Sequence, residues 1–170
     1  MKTPVAASLL LVTALLGVGC RDAPVDKTPY ARDWNAHPAV VTVSGAAALD
    51  AVGDLHGDAE VAFHLLASAG LITTTSPTAW AGGNRVLVVT GDLIDKGTSA
   101  LPIIDLLMTL EPQARAAGGR VVVTIGNHEA EFLADPSGLK SVEFQAELRC
   151  AWVDPAAVVG DLHDEPLVVD

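Results

Sequence analysis

Cysteine occurs only twice in the 170 residues, and two cysteines cannot build a disulfide scaffold. Basic residues are scarce as well: ten Lys and Arg stand against twenty-one Asp and Glu, a formal net charge of −11. That balance argues against a nucleic-acid surface held by phosphate contacts. It suits cations, and it also keeps a chain soluble. No hydrophobic run is long enough to span a bilayer comfortably; the longest, Val5 to Val18, is short and rich in small residues. Low-complexity tracts are lacking too. What remains, half of it hydrophobic and 18% charged, suits a single globular domain with a real core.

The first twenty residues, MKTPVAASLLLVTALLGVGC, place Lys2 before the apolar run and read as an export signal. The end, LLGVGC, resembles a bacterial lipoprotein signal, in which cleavage precedes a cysteine that then carries lipid. Gly17 stands where that pattern prefers Leu, with Leu16 adjacent. On this reading Cys20 is lipidated and Cys150 is left as a lone, buried thiol; the alternative is an ordinary signal peptide with Cys20 paired to Cys150. Residues 21–40 carry Pro24, Pro29 and Pro38 among charges and read as a tether. Trp34 and His37 are expected to be tether or edge-packing residues. The domain proper is expected over 41–170.

Three short apolar runs follow, each ending in Gly and then Asp or Asn: AALDAVGD to Asp54, RVLVVTGD to Asp92 and RVVVTIGN to Asn127. Their β-branched content predicts strands, and the later two are apolar almost throughout, as in strands covered on both faces. Between them the spacing predicts helices. Ala59 to Ala69 puts Val61, Ala62, Leu65, Leu66 and Ala69 on one face and stops at Gly70. His64 falls off that stripe and is expected to be solvated or half-packed. Ser99 to Ala117 begins with Ser and an early Pro102, carries Ile103, Leu106, Leu107 and Leu110, and ends at Gly118-Gly119, with Pro112 expected to kink or divide it. The helical pattern weakens after Glu129, and Val142 to Leu148 suits one more short helix. The alternation predicts an α/β fold with a parallel βαβαβ core and right-handed crossovers.

In open α/β sheets ligands collect at the carboxyl ends of the strands, where all three corners fall. They present Asp54 and His56, Asp92 and Asp95, and Asn127 and His128. One Gly-Asp pair is an ordinary turn signal; three together are far more specific. Carboxylate, imidazole and amide oxygen are ligands for divalent first-row metals, and a carboxylate can bridge two ions roughly 3.5–4 Å apart.

GDLHGD (Gly53 to Asp58), GDLIDKG (Gly91 to Gly97) and GNHE (Gly126 to Glu129) resemble the motifs of the calcineurin-like metallophosphoesterases, and among them the phosphoprotein phosphatases, especially the bacterial Shewanella-like branch. The resemblance spans about Leu49 to Phe132. It implies an αββα sandwich of which this chain holds the N-terminal half, and two divalent ions (Mn, Fe or Zn) that activate a hydroxide against a phosphomonoester. It implies metal ligation by Asp54, His56, Asp92 as bridge, and Asn127. It makes His128 the general acid, held by Asp95, with Lys96, Asn127 and His128 against the substrate phosphate.

Three departures qualify that picture. The phosphatases usually have GDxxDRG, whose Arg holds phosphate bidentately, whereas Lys96 offers a compact charge. Two residues after GNHE the nearest phosphatases place another Arg, and here stands Glu131. The family completes its metal shell with later histidines, whereas the chain ends at Asp170. The one downstream histidine, His163, lies in VVGDLHDEPL, where Pro166 follows instead of an apolar helix; an exposed acidic loop is the expectation there, with a substitute metal ligand as the alternative. The overall expectation is a fragment or truncated product of an exported, lipid-anchored phosphoesterase that faces the periplasm or cell exterior. It would act on a phosphoprotein or small phosphoester, with weak or absent turnover by this chain alone. Two rivals are a non-catalytic lipoprotein that binds a metal or partner, separated by metal content without turnover, and a dinucleoside polyphosphate hydrolase, separated by substrate comparison.

Overall fold

The computed structural model describes residues 40–157, together with Asn35 and Pro38. The signal and tether readings, with Cys20, Trp34 and His37, and the tail containing His163 lie outside the described residues.

Three strands, β1 (Leu49–Val52), β2 (Val86–Val89) and β3 (Arg120–Val123), form one parallel sheet in the order β1-β2-β3. Helix α1 (Ala59–Ser68) crosses from the first to the second, and α2 (Ala100–Ala116) from the second to the third. This is the expected βαβαβ core. After β3 come α3 (Asn127–Ala134), a 3₁₀ turn (Leu139–Ser141) and α4 (Val142–Cys150).

Alternation along the strands decides where the core sits. Leu87 and Val89 share a face with Val121, the in-register partner of Leu87, and all three are buried. They meet Ala62 and Leu66 of α1 and Ile103, Leu107 and Leu110 of α2 in one apolar cluster. Fully burying a Leu or Ile side chain contributes about 1.5–3 kcal/mol, so these few contacts fix the helices on that face. The opposite face is covered only in part: Val86 is buried, Val88 and Val122 are half-buried, and Leu49 is 69% exposed. Coverage on both faces, expected for the two later runs, therefore holds fully only at the start of β2 among the described residues.

Four further expectations are corrected. On α1 the buried stripe narrows to Ala62 and Leu66, with Val61 and Leu65 exposed, because the helix meets the sheet and α2 along one line. Pro112 does not divide α2, which runs unbroken through it. The hydrogen bond that Pro removes would reach back to the turn of Met108, whose side chain faces solvent. The helical pattern, expected to weaken after Glu129, instead forms a regular helix from Asn127 to Ala134. Finally, Cys150 is not a lone buried thiol: it stands exposed at the end of α4 and is disulfide-bonded. His64 is exposed and pairs one turn back with Glu60.

Candidate metal centre

The strands end level, with Val52, Val89 and Val123 in register. Gly53, Gly91 and Gly126 follow one, two and three residues later, so three corners converge on one rim. Past the strands the first two corners keep pairing through their backbones: Asp54 N donates to Gly91 O at 3.3 Å, His56 N to Asp92 O at 2.9 Å and Gly57 N to Leu93 O at 2.7 Å. Within these corners Asp54, His56, Asp92, Asp95 and Lys96 all have left-handed backbones, with φ of 54°, 44°, 55°, 65° and 64°. Side chains rarely accept that region, at a cost of about 1–3 kcal/mol each, and it gathers where geometry serves function. Glycine makes the convergence possible at two contacts. A Cβ on Gly91, itself at φ 89°, would lie 2.0 Å from Gly126 N, and one on Gly57 would lie 2.7 Å from the carbonyl carbon of Gly97.

Three donors meet there. One ligand atom each from His56, Asp92 and His128 falls within 4.8 Å of the others. His56 places Nδ1 3.2 Å from Ile94 O, and because a carbonyl only accepts, Nδ1 carries the proton and Nε2 keeps its lone pair. His128 places Nδ1 3.0 Å from Asp95 Oδ2, which leaves Nε2 for the cluster. The two imidazoles meet edge to face, their ring centres 4.7 Å apart. Two imidazoles and a carboxylate form a donor set that suits Zn, Mn or Fe, and a carbonyl or carboxylate behind each ring is how metal-ligating histidines are oriented. The residues present fit a divalent ion.

The sequence candidates are distributed unevenly about this cluster. Asp54 stands at its edge, Oδ1 3.6 Å from His56 Nε2, with its side chain 79% exposed. Lys96 reaches in from the same side, its Nζ donating to His56 Nε2 at 2.8 Å. Asn127, the first residue of α3, is exposed and lines an open cleft of about 390 Å³ with Lys96, His128, Glu131 and Lys140. Glu131, the like charge where the phosphatases place Arg, is ion-paired to Lys140 at 2.7 Å. Asp95 is 1% exposed. The geometry therefore groups His128 with His56 and Asp92 as a potential metal donor, whereas its motif assigns it to proton donation.

Glu129 went unassigned in the sequence, and the structure gives it four backbone donors. Its Oε2 accepts from Asp92 N and Gly126 N, each at 2.8 Å, and its Oε1 from Leu93 N at 2.7 Å and Ile94 N at 3.2 Å. It thus caps α3 and ties the third corner to the second. Asp92 Oδ1 adds a bond in the opposite direction by accepting from His128 N at 3.0 Å. The available signal was a Glu three residues after the N-cap Gly126: Glu129 reaches back to the N-cap amide, the half of a capping box that needs no side chain on Gly126.

A model of the calcineurin-like phosphoesterase family matches residues 49–162. The chain is 42% identical over 79 residues to an uncharacterised protein of Schizosaccharomyces pombe, across 46% of this chain and 24% of that protein. It is 41% identical over 81 residues to Shewanella-like protein phosphatase 2 of Arabidopsis thaliana, across 48% of this chain and 20% of the other. Among solved structures, the cold-active protein-tyrosine phosphatase of a psychrophilic Shewanella aligns with a TM-score of 0.56 and 26% identity, covering 66% of this chain and 35% of that one. The chain thus spans less than a quarter of these curated relatives and about a third of the solved phosphatase.

Proposed function

Because the chain belongs to the calcineurin-like phosphoesterase family, we propose that its rim of three corners is the metal-holding half of a phosphoesterase site for phosphomonoesters. The observation that carries this reading is the meeting of His56, Asp92 and His128 within 4.8 Å. Divalent ions, when bound there, supply charge to offset the phosphate and to acidify a water. Asp54, His56 and Asp92 are the ligands we assign to a first ion, with Asp92 shared with a second ion that Asn127 helps to hold.

The chain's own residues do the rest. Asp95 fixes the His128 ring by accepting from Nδ1–H, so that Nε2 faces the leaving oxygen. When the ring carries a second proton on Nε2, that proton passes to the leaving oxygen and the ring returns to the neutral form with Nδ1–H still on Asp95. Lys96 supplies a positive charge toward the phosphate, held more loosely than by a planar guanidinium. A phosphorylated protein is the substrate class favoured by two relatives whose names are protein phosphatase and protein-tyrosine phosphatase.

Metal content after dialysis against Mn, read together with hydrolysis of an aryl phosphate, tests the assignment. The wild type should retain Mn, and Asp92→Ala and His56→Ala should lose it. His128→Gln should keep metal while kcat falls about 10²–10⁴-fold, the usual loss of a general acid; loss of metal instead would move His128 into the ligand set. A wild-type chain that retains no metal would overturn the proposal.

Export is proposed from the leader. A disulfide at Cys150 suits an oxidising compartment, and in a chain with two cysteines it competes with lipid on Cys20. Intact mass and thiol labelling decide: no free thiol and no added lipid mass mean the disulfide, whereas added diacylglyceryl mass means the anchor.

A further inference from the structure

We propose that Ser141 is a positioning residue for His128, acting through Asp95, so that the 3₁₀ turn and α4 form part of the site although no motif marks them. The inference deepens the assignment of His128 and rests on it.

Asp95 is almost wholly buried, at 1% exposure, and one of its oxygens does all the accepting. Oδ2 takes Nδ1–H of His128 at 3.0 Å and Oγ–H of Ser141 at 3.2 Å, while Oδ1 has no partner. A buried carboxylate oxygen without a donor is costly, so the two bonds on Oδ2 decide which way the carboxylate faces. Ser141 is itself 2% exposed and cannot be replaced in that role by bulk water. Without its hydroxyl, Asp95 keeps a single donor, and rotation about its terminal torsion, which is intrinsically soft, exchanges the oxygen that orients His128.

Ser141 is placed by the contacts of the segment that carries it. Glu147, two turns along α4, accepts from Ala100 N at 2.9 Å and Leu101 N at 3.0 Å, capping α2 from outside. That helix follows directly on the loop that carries Asp95 and Lys96. Gln145 Nε2 donates to Gly138 O at 2.6 Å and closes the turn before Ser141. Phe144 stacks edge to face on Phe132 of α3, the helix that bears His128. The segment therefore grips both elements whose side chains form the His128–Asp95 pair.

The test is the downfield proton signal of the His128 imidazole Nδ1–H in the full chain, assigned by its loss in His128→Gln. It is expected in the wild type. In Ser141→Ala its exchange with water should rise about tenfold at a temperature well below unfolding, and Ser141→Thr should restore slow exchange. With an aryl phosphate and Mn, Ser141→Ala should lower kcat about tenfold and leave KM within about twofold. Unchanged exchange in the Ala variant, or no such signal in the wild type, would overturn the proposal. The proton readout needs no turnover. A shift there in a chain that hydrolyses nothing would support the positioning role and count against the phosphoesterase reading alone.

Discussion

One carboxylate, Glu129, satisfies four backbone amides spread over two corners. Asp92 sits at φ 55°, and the left-handed backbone turns the amides of residues 92–94 toward a common point. A negative group at that point plays the part that an anion plays in other nests of amides. Glu129→Gln keeps the shape but aims an NH₂ at two of the four N–H donors. We expect a loss of roughly 2–4 kcal/mol, since each unsatisfied buried donor costs about 1–3 kcal/mol. Urea unfolding measures it, and Mn affinity should fall with it because Asp92 loses its fixed direction. A loss below about 0.5 kcal/mol would mean that water can replace the clamp.

At the scale of elements, three strand ends become one rim only where backbones touch without side chains between them. Gly91 has both a left-handed φ of 89° and Gly126 N at 2.0 Å from any Cβ it might carry, whereas Gly83, at φ 58°, has nothing within 4 Å. Gly83→Ala should therefore cost only the left-handed penalty of about 1–2 kcal/mol. Gly91→Ala must also part the second and third corners, and should cost about 3 kcal/mol or more and reduce metal binding. Equal losses in thermal unfolding of the two variants would show that the corners need not touch. The strands, the crossover helices and the corner residues were legible because β-branched runs, helical spacing and Gly-Asp ends are local signals. The start of α3 at Asn127 was missed because Asn127 and His128 were read for their chemistry and not for the cap that Gly126 and Glu129 make. Ser141 and Glu147 were illegible for a different reason. They act on Asp95 and Ala100 from 46 and 47 residues away, and no periodicity encodes such a reach.

For the molecule as a whole, the proposed ligands come from different corners: Asp54 and His56 after β1, Asp92 after β2 and Asn127 after β3. Ions bound among them cross-link segments that the unfolded chain holds far apart, so they bind the native state almost exclusively. Linkage then gives a stabilisation of about 2.7 kcal/mol at a free metal concentration of a hundred times Kd. In a chain of this size that raises Tm by about 5–10 °C. We expect such a rise with Mn or Zn, reversal by a chelator, and loss of most of it in Asp92→Asn. Calcium should do less, because it takes oxygen ligands and the His56 donor is a nitrogen. A melting temperature equally raised by calcium would point to the surplus of acidic side chains as the binding site, since a chain of net charge −11 gathers cations without any built centre. A melting temperature indifferent to every divalent ion would remove the three-corner rim as a metal site.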